Sequence, residues 1–523
     1  MYLYNSDKKL FKINSKFILN NLNPPSPFLL KNAELSINLN TGKIISVNNN
    51  KNSPEAISAI NNTCNYSTLI IPGLINAHIH TELTIASDKN TPHIFSEWVI
   101  SLIKRRTNLS NKEITDIRQK AYNTSIRAGI TAIGDIVPIS QFNKYILDYK
   151  KFNEINCSVS DFGKMQYKIF KDTEPNAAYS AAEYGRKSND IFTTGAPPRV
   201  KAYIEILGLN PSSLNYKIKE LKDTLNDIIK NDTIGNDYKK FISIGISPHS
   251  IYSVSPALFK ILSEKNKQWG LDLTVHTSEH KSEIQFLSEG KGDISENLLT
   301  ALNLKEFNNP SEKYGIKYLT PVQYLKSVGI LSPKTSLIHA NEVNGEDIKI
   351  IKDLKSSIIH CPRSNNFFKS NKLPLRKILD NNIIVGLGTD SLYSNDSISI
   401  LDELKYARKI HNNLQIDHEN IKHKNKDNDK DFSNSNKDLI VCGVSSKELF
   451  QMATKNNAKI LNIPNVTGTL EKNSCADFVI FKIPENLELN EINVFDEIIN
   501  LEEKDILKVF IGGKEVYSNY KLT

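Results

Sequence analysis

The stretch "PGLINAHIHTELT" (72–84) closes an apolar run, "STLIIPGLINA" (67–77), with two histidines separated by a single residue. Residues i and i+2 of a strand project to the same side, so His78 and His80 can offer two imidazoles to one point in space. Two ordinary strand histidines would look the same in isolation. What decides between the readings is how the other apolar runs of the chain end.

Seven such runs follow: "ITAIGD" (130–135), "RVKAYIEI" (199–206), "FISIGIS" (241–247), "LDLTVH" (271–276), "TSLIH" (335–339), "SSIIH" (356–360) and "IIVGLGTD" (383–390). Helical patterns lie between them. One, "SNKEITDIRQKAYNTSIRAGI" (110–130), opens with Ser110 and Glu113 in capping-box spacing and closes at Gly129. Strands alternating with helices predict an α/β fold of parallel βα units, and eight of them close a TIM barrel. The first run ends in His78 and His80, the fourth reaches His249, and the fifth to seventh end in His276, His339 and His360. The eighth ends in Asp390. In such a barrel the C-terminal strand ends build the active site. The chain has 11 histidines, and most of them sit at this one rim, which chance explains poorly.

Neutral imidazoles from His78, His80 and His276 with the carboxylate of Asp390 make a mixed nitrogen and oxygen donor set. It suits one divalent transition metal per chain, zinc or iron, able to activate water near neutral pH.

Both chain ends read as pieces of one small β-sandwich, residues 1–67 and 465–523, flanking a barrel domain at 68–464. "AELSINLNTGKIISV" (33–47) alternates around "NTG" as a hairpin does, and "LKVFIGGKEVY" (507–517) carries a Gly-Gly turn. The segment at 416–438 is too polar to bury anything and reads as a disordered insert. Its His418 and His423 are then solvated rather than metal-binding.

Composition narrows the partners. A formal charge of +8 is spread along the chain with no arginine-rich arm, so no nucleic-acid partner is expected. Five scattered cysteines with no CxxC pair exclude a cysteine-built zinc site and fit a reducing compartment. No apolar run approaches ~18 residues and the start shows no leader pattern, so a cytoplasmic protein without membrane contact is expected. A small-molecule substrate fits this picture, and a homodimer would suit such a barrel.

Six motifs, in order, resemble the amidohydrolase superfamily, specifically its cytosine-deaminase-like and triazine-hydrolase-like aminohydrolases. They are "PGLINAHIHTEL", "PHSIYSVSP", "VHTSEH", "LIHANEV", "HCPRSN" and "GLGTDSLYSND". The resemblance implies that His78, His80, His276 and Asp390 hold the metal. It further implies that Glu279 shuttles protons, His339 orients the attacking water and His249 contacts substrate. Within the group the motifs look most like aminodeoxyfutalosine and S-adenosylhomocysteine/adenosine deaminases, which implies a 6-aminopurine nucleoside substrate and release of ammonia. Glu82 is then a substrate contact, and Arg363 offers a planar fork to a carboxylate on the substrate's distal part, or simply pairs with Glu342 or Asp396.

The chemistry stands on its own terms. Hydrolytic deamination needs protons for a ring nitrogen and for the leaving amine, and Glu279, three residues past His276, can deliver them. Asp390 can accept a proton from water, and His339 can stabilise the tetrahedral intermediate. Alternatives are a cytosine, guanine or triazine aminohydrolase, a chlorohydrolase, and a non-catalytic scaffold. The scaffold should have lost ligands, and this chain retains all four. A two-metal hydantoinase-like site is disfavoured because "FISIGISPH" carries no lysine.

Overall fold

A computed structural model of the chain describes residues 2–5, 10–20, 28–49, 66–84, 91–157, 192–193, 196–230, 239–307, 320–412 and 443–519. The insert at 416–438 lies outside the described residues, as do His418 and His423.

Eight parallel strands form one sheet: Leu74–Ile79, Ile130–Pro138, Arg199–Ile206, Ile242–Pro248, Asp272–Thr277, Thr335–His339, Ser357–His360 and Val385–Leu387. They are the eight apolar runs, in chain order, and almost every residue in them is buried. Burial on both faces is what continuous apolar strands demand. The first and eighth strands meet at the ligand end through a parallel bridge between Ile79 and Asp390, where the His78 carbonyl accepts from the backbone amides of Thr389 and Asp390. Lower down, side chains complete the seam. Asn457, from helix Lys455–Leu461, donates to the Ile75 and Leu387 carbonyls and accepts from the Leu387 amide. Asn457→Leu would strip three buried backbone groups of their partner. It is expected to cost at least about 2 kcal/mol, since each unsatisfied group costs roughly 1–3 kcal/mol; urea unfolding measures it.

The remaining strands form a separate mixed sheet. Its order is Lys43–Asn49, Leu29–Asn38, Leu10–Leu19, Tyr66–Pro72, Phe478–Pro484, Ile506–Ile511, Lys514–Ser518 and Phe192–Thr193, with Tyr2–Asn5 pairing on Leu10–Leu19. The sheet curls over its own core. Phe11 and Phe510 are on strands that are not hydrogen-bonded neighbours, yet their ring centroids lie 6.0 Å apart. The hairpin at the C-terminal end turns through Gly512 and Gly513, at φ +58° and +75°, the left-handed pair that a two-residue turn requires.

The run "STLIIPGLINA" is two strands rather than one. Tyr66–Pro72 pairs in the mixed sheet and Leu74–Ile79 in the barrel. Gly73 lies between them, and a Cβ there would collide with the Thr131 side chain. A buried ion pair ties the two sheets: Arg199, opening the third barrel strand, donates to both Asp477 carboxylate oxygens at 2.6 and 3.0 Å.

Candidate metal centre and active site

The barrel rim gathers its histidines. The rings of His78 and His80 lie 5.0 Å apart, His78 and His276 also 5.0 Å, and His276 and His339 5.6 Å. Asp390 Oδ1 stands 3.5 Å from His78 Nε2 and 3.7 Å from His80 Nε2. Three overlapping trios have ligating atoms within 4.8 Å of one another: His78–His276–His339, His78–His80–Asp390 and Glu279–His339–Asp390. All are buried. Among the described residues, neither ring nitrogen of His78, nor Nε2 of His339, finds a hydrogen-bond partner. Buried lone pairs without partners are costly, and a cation at their convergence removes that cost. Burial first, and then the neighbouring imidazoles, hold His80 and His276 well below the usual histidine pKa, so they present neutral nitrogens. Burial pushes the Asp390 carboxyl up, but His78, His80 and His339 outweigh it and keep the group ionised. The donor set therefore fits zinc or iron.

The surrounding shell fixes which atom each residue presents. His276 Nδ1 lies 3.1 Å from the His249 carbonyl and so carries the proton, leaving Nε2 toward the cluster. Asp390 Oδ2 accepts from Ser364 (2.8 Å) and Ser394 (3.0 Å), which leaves Oδ1 for the histidines. His339 Nδ1 lies 2.8 Å from Asn365 Oδ1, and Asn365 in turn donates to Asn341. His339 and Asp390 both sit at positive φ, +73° and +60°. Such conformations cost roughly 1–3 kcal/mol and concentrate at functional sites.

Glu279 stands beside the cluster, its Oε1 3.5 Å from His339 Nε2. It does not cap the helix that follows. His280 is the N-cap of Lys281–Glu289, and Glu283 accepts from the backbone amides of Ser278, Glu279 and His280, clamping the loop that carries Glu279. Burial, reinforced by Asp390 and Glu283, raises the Glu279 carboxyl well above its usual range, so it holds a proton. Burial lowers His339 to about 4, leaving it neutral.

A cavity of about 410 Å³ opens from this cluster. His80, His249, His276, Glu279, His339 and Asp390 form its inner end. Helix Phe95–Thr107 and the segment around Leu298–Leu304 supply an apolar wall that includes Trp98, Leu102, Leu299 and Leu302. His249 is anchored by Ser253 at 2.8 Å. Glu82 is buried next to this wall and paired with Arg106 (2.7 Å) and Arg118 (3.5 Å); burial raises it to about 7 against the pull of the two arginines. Arg363 is not among the cavity's lining residues. Its guanidinium faces Asp396, Asp402 and Glu403, and its amide donates to Glu403. His360 Nε2 lies 3.2 Å from His411 Nε2, and its Nδ1 lies 3.5 Å from Asn365 Nδ2.

Several of these residues escaped sequence reasoning. Arg106 lies in "LIKRRT", where three cations in a helix's last turn look like ordinary dipole complements. The carboxylates of Glu82 and Glu205, two anions that call for a cation nearby, were the available signal. Asn365 and Ser364 stand in the quoted "HCPRSN" motif, but their partners are distant in sequence.

The amidohydrolase family model matches residues 69–427 and 432–516. The chain belongs to the amidohydrolase family. Among curated relatives, the 5-methylthioadenosine/S-adenosylhomocysteine deaminase of Pyrococcus furiosus is 24% identical over 453 residues, 86% of this chain and 84% of that protein. The aminodeoxyfutalosine deaminase of Deinococcus radiodurans is 29% identical over 173 residues, 33% of this chain and 41% of that protein. Among solved structures, a zinc-bound adenosine deaminase of Xanthomonas campestris superimposes with a TM-score of 0.64 at 16% identity, covering 98% of this chain and 94% of that one. Membership accounts for a barrel whose metal-binding residues lie at strand ends. Among the described residues, no helix of this amidohydrolase is long and apolar enough to cross a membrane.

Proposed function

We propose that this amidohydrolase is a metal-dependent deaminase of 6-aminopurine nucleosides. The observation that carries the reading is Glu279, a buried carboxylic acid at the inner end of a ligand-sized cavity, facing the His/Asp cluster and 3.5 Å from His339. In the overall reaction water gives its oxygen to C6, one proton ends on N1, and the amine leaves as ammonia. A zinc or iron ion held by His78, His80, His276 and Asp390 supplies activation of water near neutral pH. Glu279 places its proton on N1, takes one back from the attacking water and passes it to the leaving amine. His339, neutral and with its Nδ1 proton held by Asn365 Oδ1, presents Nε2 as an acceptor that orients the attacking water. His249 holds the base. The deaminases among the relatives, which act on adenosine derivatives, support this choice of substrate class.

The apolar wall favours an uncharged 5′ substituent over a carboxylated one. Arg363→Met is expected to change kcat/KM equally for adenosine, S-adenosylhomocysteine and aminodeoxyfutalosine, because its guanidinium is engaged by Asp396, Asp402 and Glu403. A loss confined to the two carboxylated nucleosides would restore Arg363 as a substrate contact. The test of the reading itself is ammonia release from these three compounds and from 5′-methylthioadenosine. If none is deaminated, the purine assignment fails and pyrimidine or triazine amines come next.

A further inference from the structure

We infer that Glu205 is the acceptor for the sugar hydroxyls of the substrate. This rests on the purine-nucleoside reading and adds a subsite to it. Glu205 sits near the end of the third barrel strand, Arg199–Ile206, and lines the cavity while being only 7% exposed. In the parallel register it lies beside Ser247, and His249 is two residues further along that chain, so Glu205 and His249 share the barrel's inner face. A group that engages a base at His249 therefore carries its next substituent past Glu205.

The state of the carboxylate is informative. Among the described residues no hydrogen bond reaches it, and its nearest cation, Arg106 Nη1, is 4.0 Å away. Arg106 itself is committed elsewhere, with Nη2 2.7 Å from Glu82 Oε1 in an ion pair. Its oxygens face the cavity with no protein donor, so a ligand that takes the place of water there must bring donors of its own. The missing ligand must bring donors and no negative charge. A vicinal diol offers two O–H groups at a spacing one carboxylate can accept together, and in a purine nucleoside that diol follows directly from the base. An anionic group at this place would face Glu205 itself, and a purely apolar one would leave the carboxylate unsatisfied. Leu207 and Leu209, next along the chain, line the cavity beyond and begin its apolar part.

The test compares adenosine with 2′-deoxyadenosine and 3′-deoxyadenosine in the metal-loaded wild type and in Glu205→Gln. The wild type is expected to prefer adenosine by roughly 10- to 100-fold in kcat/KM, the range of one charge-assisted hydrogen bond or more. Glu205→Gln is expected to shrink that preference, cutting kcat/KM most for adenosine and less for each deoxynucleoside, which keeps a single hydroxyl. Binding of the products inosine and 2′-deoxyinosine by calorimetry, with Glu205→Asp as a second variant, gives the same comparison without turnover. An equal loss for all three nucleosides, or a wild type indifferent to the hydroxyls, would overturn the assignment of Glu205 while leaving the deaminase reading intact. No ammonia from any of the three would instead remove that reading, and the sugar subsite with it.

Discussion

Glu279→Gln is expected to keep its metal and its nucleoside affinity and to lose turnover by ~10²–10⁴-fold, more if both proton transfers pass through this residue. The substitution is isosteric, so the loop held by Glu283 is retained, because those contacts run to backbone amides and not to the Glu279 side chain. What disappears is the acid itself. Glutamine cannot place a proton on N1 or on the departing amine, and no other carboxyl of the cavity is placed to replace it. Asp390 is kept ionised by the histidines around it, and Glu205 lies on the side toward Arg106. Single-turnover kinetics separates the chemical step from binding. A fall in kcat of less than tenfold would place the proton shuttle elsewhere.

Much of the barrel was legible because each of its strands is buried on both faces and so appears as an uninterrupted apolar run. The ligand end was legible for a related reason: a polar residue at the end of such a run does not belong in an apolar core, and six of the eight runs lead to a histidine or to Asp390. The legible part stops where contacts join distant segments. Nothing local in "STLIIPGLINA" says that its two halves belong to different sheets; their partners, Phe478–Pro484 for one and Ile130–Pro138 for the other, are distant in sequence. Phe192–Thr193 joins the mixed sheet beside Lys514–Ser518, a pairing that two residues of sequence cannot announce. Glu279 could be taken for a helix-start carboxylate, yet the capping is done by Glu283, because a capping-box carboxylate lies three residues inside the N-cap. Arg106 was missed since its partners, Glu82 and Glu205, come from two other elements, whereas Arg363 drew attention by sitting in a motif and turned out to face carboxylates of its own neighbourhood.

The second large effect concerns the cluster at the rim. His78→Ala is expected to abolish turnover and metal retention while the barrel persists, since the strand is held by its backbone pairing and by the Asn457 and Asn76 contacts across the seam. Asp390→Ala should do the same to activity. Removing the carboxylate also deprives Ser364 and Ser394 of their shared acceptor, so some stability is lost with it. Circular dichroism and elemental analysis of each variant distinguish a folded, metal-free protein from an unfolded one. The direct measurement is made on the unaltered chain: chelator-treated protein is titrated with zinc, and separately with ferrous iron, while ammonia release from an adenosine-type nucleoside is followed. Activity is expected to be absent at the start and to rise to a break at about one equivalent per chain. Full turnover in protein shown by elemental analysis to hold no metal would contradict the account.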